Sequence, residues 1–275
     1  MLRDSKSLET SCYILGAGAF GVFIRWMQYM IAYDDEGLVD PSFWTYALIA
    51  IVIAQGIVFY RFSDKRRKAH LFLPNDFCAA LKNEGMLYQI IRIAIGAIIV
   101  IGSLLLIMQT EASKNAVFYR VTAVLGIATG VSFPFLMAAA NRPAVLSRSL
   151  VSFLATIPVL LYAAWLLTCY RVNSINPVYW DYTLKIFTLI ISMAAVFRTA
   201  GFAFGQPNEY KSMTLCMWGA ALSVMNLADL EYISEGIMFI GVALMLIYYN
   251  WIMIANLRQG RVEKIEYPDD GFERL

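Results

Sequence analysis

Residues 87–108 read LYQIIRIAIGAIIVIGSLLLIM, and from Ile93 to Met108 no ionisable side chain interrupts the run. A helix needs about 20 mostly apolar residues to cross a hydrocarbon layer of ~30 Å, so this stretch is a membrane span. Seven others share its character, at roughly 12–33, 44–61, 117–139, 150–169, 180–202, 212–228 and 232–256. Backbone amides and carbonyls in lipid must pair within their own segment, which makes helices the spanning form. The alternating ten-residue pattern of a membrane β-barrel is absent. The expected fold is all-α: a polytopic integral membrane bundle of eight helices.

Composition agrees. Of 275 residues 60% are hydrophobic and 15% charged, where soluble domains carry about 25% charged residues. With the N-terminus placed in the cytoplasm, the inner segments (1–11, 61–85, 140–149, 203–211 and 257–275) hold fifteen Lys and Arg. The outer loops (34–43, 109–116, 170–179 and 229–231) hold two, Lys114 and Arg171. Basic residues resist translocation, so the split predicts both termini on the cytoplasmic side of the cell membrane. The first span resembles a secretory signal only superficially: it is long, contains Arg25 and lacks a small-residue cleavage pattern before Asp34. Cys12, Cys78 and Cys216 fall toward the inner side and leave Cys169 without an outer partner, so no disulfide is expected. His70, the single histidine, builds no metal site, and no cofactor is implied.

The chain reads as one transmembrane domain over 1–257 followed by a cytoplasmic tail, 258–275, of mixed charge. The longest connection, 61–86, opens with a basic cluster in which Lys65, Arg66, Arg67 and Lys68 are candidate ligands for anionic lipid headgroups. Such runs more commonly set topology alone. Its second part, 71–85, predicts a short amphipathic helix on the cytoplasmic membrane surface, capped by Asn75 and closed by Gly85, with Phe77, Ala80 and Leu81 on one face.

Two helix starts echo each other 136 residues apart, Pro41-Ser42-Phe43-Trp44-Thr45-Tyr46 and Pro177-Val178-Tyr179-Trp180-Asp181-Tyr182. One reading is a parallel four-plus-four duplication with halves 12–140 and 150–257, an arrangement known in transporters. The other is convergence, since Trp and Tyr favour membrane interfaces. Gly126 and Gly130, and Ala17 and Gly21, are small-residue pairs that let helices approach. Pro134 and Pro158 interrupt two spans and free a backbone carbonyl in each.

Charge inside a span costs roughly 2.5–3.5 kcal/mol at mid-helix on insertion scales, so it marks candidate functional sites. Arg92, Arg120, Lys185 and Arg198 sit within about two turns of a surface and can snorkel, Lys185 with Asp181 one turn before it. Arg25 is deeper, with Gln28 and Tyr29 following on the same face. Arg25, Gln28, Gln55, Lys185 and Asn226 are the expected lining of an outward-opening, cationic cavity suited to a small anionic or zwitterionic solute. The alternative is that Arg25 pairs with a rim carboxylate while the amides fix helix packing.

Several activities lack their groups. No Asp or Glu lies near the centre of a span, which argues against carboxylate-coupled pumping. HExxH, Walker A and GxSxG signatures are missing, so an enzyme is not expected. The expected function is a transporter-like permease or the membrane component of one, because eight packed helices are more than an anchor requires; the alternative is a non-transporting sensor, scaffold or assembly subunit that works through helix packing and its tail. The expected partners are the bilayer, anionic lipids of the inner leaflet and a membrane or cytoplasmic protein; nothing suggests nucleic acid.

Overall fold

The computed structural model describes residues 2–32, 43–111, 113–141, 147–173 and 179–259. The loop carrying Asp34, Asp35 and Glu36 and the tail beyond residue 259 lie outside the described residues. The chain is 84% helical. In order, the elements are α1 (Leu2–Ala32), α2 (Phe43–Lys68), β1 (Leu71–Phe72), α3 (Phe77–Ala80), α4 (Met86–Gln109), α5 (Ala116–Ala139), α6 (Arg148–Asn173), α7 (Tyr179–Ala200), α8 (Glu209–Met225), a 3₁₀ turn (Asn226–Ala228), α9 (Ile233–Ala255) and β2 (Arg258–Gln259).

Seven of these helices, α1, α2, α4, α5, α6, α7 and α9, are long and apolar enough to cross a membrane. The expected span at 212–228 is α8, whose 17 residues reach only about 26 Å at 1.5 Å per residue. Asn226 ends it: the backbone tightens into the 3₁₀ turn while the Asn226 side chain bonds back to Leu222 O at 2.9 Å.

Side-chain contacts fix the direction of each helix. At the end carrying Lys65–Lys68, Ser7 donates to Trp251 O (3.4 Å), Tyr248 to Tyr88 O (3.3 Å) and Ser152 to Ala203 O (3.1 Å). At the opposite end Ser234 N donates to Gln109 Oε1 (3.1 Å), and the Thr122 and Thr168 hydroxyls meet at 2.8 Å. Helices α1, α4, α6 and α8 therefore rise from the basic end, and α2, α5, α7 and α9 return to it. Helices α8 and α9 share the centre: α9 packs on α1, α4 and α8, and α8 packs on α1, α2, α7 and α9.

The centre is filled with large rings. Trp165 lies 4.6 Å from Phe239, and Phe133 meets Tyr248 and Tyr249 edge-on at 5.6 and 5.5 Å. The small-residue seam expected on residues 126 and 130 forms against α4. A Cβ on Gly96 would stand 2.3 Å from Gly130 O, and one on Gly126 would stand 2.1 Å from Ser103 Oγ. Gly130 O is the carbonyl that Pro134 deprives of its helical donor. The structure sets that oxygen against the bare Cα of Gly96, so proline and glycine act together at one crossing.

The two expected halves differ in their neighbours. Helix α7 packs along its successor α8, whereas α4, the successor of α2, packs on α5 and α9.

Segment 71–85 departs from expectation. Its only helix is the single turn α3, capped by Asp76 rather than Asn75, with Asp76 Oδ2 accepting from Ala79 N at 3.1 Å. Gly85 closes nothing there; with φ 129° it directs the chain into α4. Phe77, Ala80 and Leu81 do share one buried face, and that face joins the bundle core together with Leu73. The backbone has too few local partners to extend the helix, and neighbouring side chains supply them instead. Asn256 Nδ2 donates to Ala80 O and Lys82 O (both 2.9 Å), and the Asn141 side chain accepts from Asn83 N (2.8 Å) and donates to Asn83 O (2.8 Å) and Oδ1 (2.9 Å). Antiparallel pairing of β1 with β2 adds a second tie to the C-terminal end of α9. The chain enters this segment through His70, whose φ of 52° ends α2 in the left-handed region more usual for glycine.

Candidate functional site

Arg25, Gln28 and Tyr29 project from one face of α1 because positions i, i+3 and i+4 align on a helix. All three enter a single network. Arg25 Nη1 donates to Gln28 Oε1 (2.6 Å), Arg25 Nη2 pairs with Asp229 Oδ2 (2.6 Å), and the Tyr29 hydroxyl donates to Asp229 Oδ1 (2.7 Å). Gln28 Nε2 passes the chain to Thr45 Oγ1 on α2 at 3.0 Å. The guanidinium also lies 4.8 Å from the Tyr29 ring centre. Arg25 and Gln28 are wholly buried, while Asp229 keeps 23% of its side chain exposed. A buried guanidinium needs a counter-charge and acceptors, and Asp229 supplies the charge from the turn between α8 and α9.

The other expected lining residues go elsewhere. Lys185 does not snorkel: its Nζ lies 2.6 Å from Glu235 Oε2, with the two side chains only 11% and 4% exposed. Glu235 belongs to the first turn of α9, where the helix dipole favours an anion. The side chain of Asp181, the partner suggested by sequence spacing, lies outside the described residues. Asn226 Nδ2 donates to Thr188 Oγ1 at 2.6 Å and ties α8 to α7. Gln55 is remote from all of these. It donates to Ala17 O at 3.0 Å, eight residues or about 12 Å along α1 from Arg25. Arg25 and Gln28 are thus brought together, while Lys185, Asn226 and Gln55 form three separate contacts.

Open concavities lie at the periphery. A groove of about 830 Å³ between α2 and the α7–α8 pair has Ile53, Ile57, Phe187 and Trp218 as walls and Arg61, Lys65 and Lys68 at its basic end. It reaches inward at Gly56, where a Cβ would stand 2.9 Å from the Trp218 ring. A second, of about 670 Å³, runs between α1 and α2 past Gln55. The four clustered cations divide between these surroundings. Lys65 lines both grooves; Lys68 and Arg67 pair with Asp64 (2.9 and 2.5 Å); Arg66 turns toward α1, donating to Thr10 Oγ1 (3.0 Å) over the Phe62 ring.

Of the remaining basic residues, Arg120 and Arg198 are exposed, as snorkelling requires, while Arg92 is buried and leans on Asn83 Oδ1 at 3.4 Å. All four cysteines are free. Burial, with Asp76 nearby, pushes the Cys78 thiol up from its ordinary range. No group of His, Cys, Asp or Glu among the described residues is arranged to hold a metal ion.

Asp229 and Glu235 are legible in the sequence as rim acids, but nothing in their spacing assigns them to Arg25 and Lys185. Thr45 and Thr188 carry no sequence signal at all. Asn250 does: it is an amide in an otherwise apolar span, it is fully buried, and neither end of its amide has a partner among the described residues. Comparison with protein-family models, with curated proteins and with solved structures finds no match.

Proposed function

We propose that this chain is a non-transporting membrane subunit, a scaffold or sensor that works through its lipid-facing helix surfaces and its basic end. The reading includes eight crossings, with α8 and its 3₁₀ turn as a short seventh one, and both termini in the cytoplasm. The excess of Lys and Arg at one end supports that orientation, and the alternating direction of the eight long helices supports the count. The duplicated-half reading rests on the sequence echoes alone and is not needed.

The observation that carries the proposal is Arg25. A solute site would leave its guanidinium reachable, whereas here it is sealed and neutralised by Asp229. The concavities described above face outward, where lipids and other helices are. The test is reconstitution of the full chain into liposomes with tracer uptake of small anions and amino acids. Flux no greater than in protein-free vesicles is expected; uptake that Arg25→Leu abolishes would overturn the proposal.

One observation favours the permease reading. Two ion pairs, Arg25–Asp229 and Lys185–Glu235, lie at the same end and tie α1 and α7 to the entrance of α9. In a transporter they would be the closed outer gate, and the same uptake assay decides between the two.

A further inference from the structure

The fold gives two of its deep cations a carboxylate each, Asp229 for Arg25 and Glu235 for Lys185. Arg92 receives none. It is only 9% exposed, and no ion pair among the described residues includes it. Helices α4, α5 and α9, which pack together here, carry one carboxylate between them, Glu235, and that lies at the opposite end. Glu84, eight residues earlier, is 70% exposed and held by Lys82 at 2.7 Å. The guanidinium is poorly satisfied as well. Nη1 has one long bond, 3.4 Å to Asn83 Oδ1, and Nε is enclosed without a partner. Nη2 donates to nothing among the described residues and is the nitrogen left accessible. A buried cation in this position lacks the counter-charge that burial requires.

Arg92 stands at the basic end of a groove of about 530 Å³ between α4 and α5, and it is the one polar side chain in the lining. The groove runs from Arg92 and Ala138 toward Ile101 and Val131, about 13 Å along α4. Gly96 and Gly130 make it a trough, and Ile93, Ile101, Val131 and Phe135, each at least half exposed, form its edges. Arg92 lies six residues, about 9 Å, from the start of α4, within reach of the phosphate layer.

We propose that this groove holds one anionic phospholipid of the inner leaflet, its phosphate on Arg92 Nη2 and an acyl chain laid along Gly96 and Gly130. Basic pockets between membrane helices at the cytoplasmic side take anionic headgroups, and a guanidinium suits phosphate oxygens. A zwitterionic lipid brings its own ammonium to the same spot, so it relieves Arg92 less. A partner helix fits worse. The bare Cα atoms of Gly96 and Gly130 face each other, a Cβ on either meeting the other's carbonyl at 2.3 or 2.6 Å, so they are used up in the α4–α5 crossing. Such a helix would also have to bury a carboxylate where the membrane already supplies phosphate. The proposal takes from the functional reading only that the basic end lies in the inner leaflet. Its failure would leave the sealed Arg25 untouched, and Arg25-dependent uptake would leave the lipid site.

The test uses the full chain, stripped of lipid in mild detergent and titrated with phosphatidylglycerol or phosphatidylcholine of matched chains. Native mass spectrometry counts bound lipid, and thermal unfolding reads its effect. Phosphatidylglycerol should bind one per chain, at least tenfold more tightly than phosphatidylcholine, and raise the unfolding midpoint. Arg92→Leu removes a charge the fold leaves unpaired, so it should be no less stable than the parent without lipid and should lose the tenfold preference. Arg198→Leu, at an exposed position of the same end, should keep it. Ala97→Phe fills the trough from an exposed position and should weaken both lipids with Arg92 intact. Glycerol 3-phosphate, a headgroup without a chain, should leave the midpoint unmoved. In native membranes a photoreactive side chain at position 97 should capture lipid. Equal binding of the two lipids overturns the proposal, as does a preference that survives Arg92→Leu or that Arg198→Leu removes as well. So does a midpoint raised by glycerol 3-phosphate alone, or capture of a polypeptide in place of lipid.

Discussion

Removing Asp229 should cost more than removing Arg25, although both changes break the same ion pair. The reason is where each charge is left. In Asp229→Asn the guanidinium of Arg25 stays fully buried, keeps Gln28 Oε1 at 2.6 Å and loses the Asp229 carboxylate that lay 2.6 Å away. Stripping one partner from a buried pair costs about 3–5 kcal/mol. In Arg25→Met the carboxylate is left behind, but it retains the Tyr29 hydroxyl at 2.7 Å and, being 23% exposed, reaches water. The loss then approaches that of one partly compensated polar group, about 1–3 kcal/mol. The double variant Arg25→Met/Asp229→Asn leaves no charge to desolvate. Because neutral replacements of buried pairs are often close to neutral in stability, it should lie within about 2 kcal/mol of the parent. Equilibrium unfolding of the four proteins in mixed micelles gives the cycle directly. The reasoning fails if Asp229→Asn is no worse than Arg25→Met, or if the single effects add to within about 0.5 kcal/mol as independent sites do.

Three further expectations follow from other parts of the fold. Gly96→Ala should cost at least about 1–3 kcal/mol by overpacking, since its Cβ would meet Gly130 O at 2.3 Å, whereas Gly16→Ala should not lower the stability of the protein. Paired thermal unfolding of the two variants checks this. Asn256→Ala strips the donor from Ala80 O and Lys82 O and should speed proteolysis within 71–85 at the basic end, with a stability loss of about 1–3 kcal/mol; limited proteolysis of right-side-out and inverted vesicles reads both the rate and the side. Burial, and secondarily Glu235, raise the Glu231 carboxyl above its ordinary range. An acid raised in the folded state penalises folding where both states are ionised, and the penalty fades as pH falls through the raised value. Glu231→Gln should therefore stabilise the protein slightly near pH 7–8 and lose that advantage in acid, measured as a pH series of unfolding midpoints.

Much of the architecture is written along the chain in a one-dimensional form. Hydrocarbon length and backbone pairing oblige the run at Ile93–Met108 and its counterparts to be helices, whatever they pack against. Gly126, Gly130 and Pro134 likewise announce a close crossing, because small size and a missing amide hydrogen are properties of the residues themselves. The depth of Arg25 and its face shared with Gln28 and Tyr29 follow from helical geometry alone. Which groups would answer them does not. Asp229 comes 204 residues after Arg25, and Glu235 fifty after Lys185; only the packing of α1 and α7 against the entrance of α9 makes them partners and turns an expected open cavity into a closed set of contacts. The same holds for segment 71–85, whose amphipathic pattern fits a surface helix as well as a cap, until Asn256 and Asn141 take up its carbonyls and amides. Solvent quality acts on each residue separately and can be read in order along the chain. Charge neutralisation and hydrogen-bond satisfaction act between residues distant in sequence, and only the folded arrangement decides them.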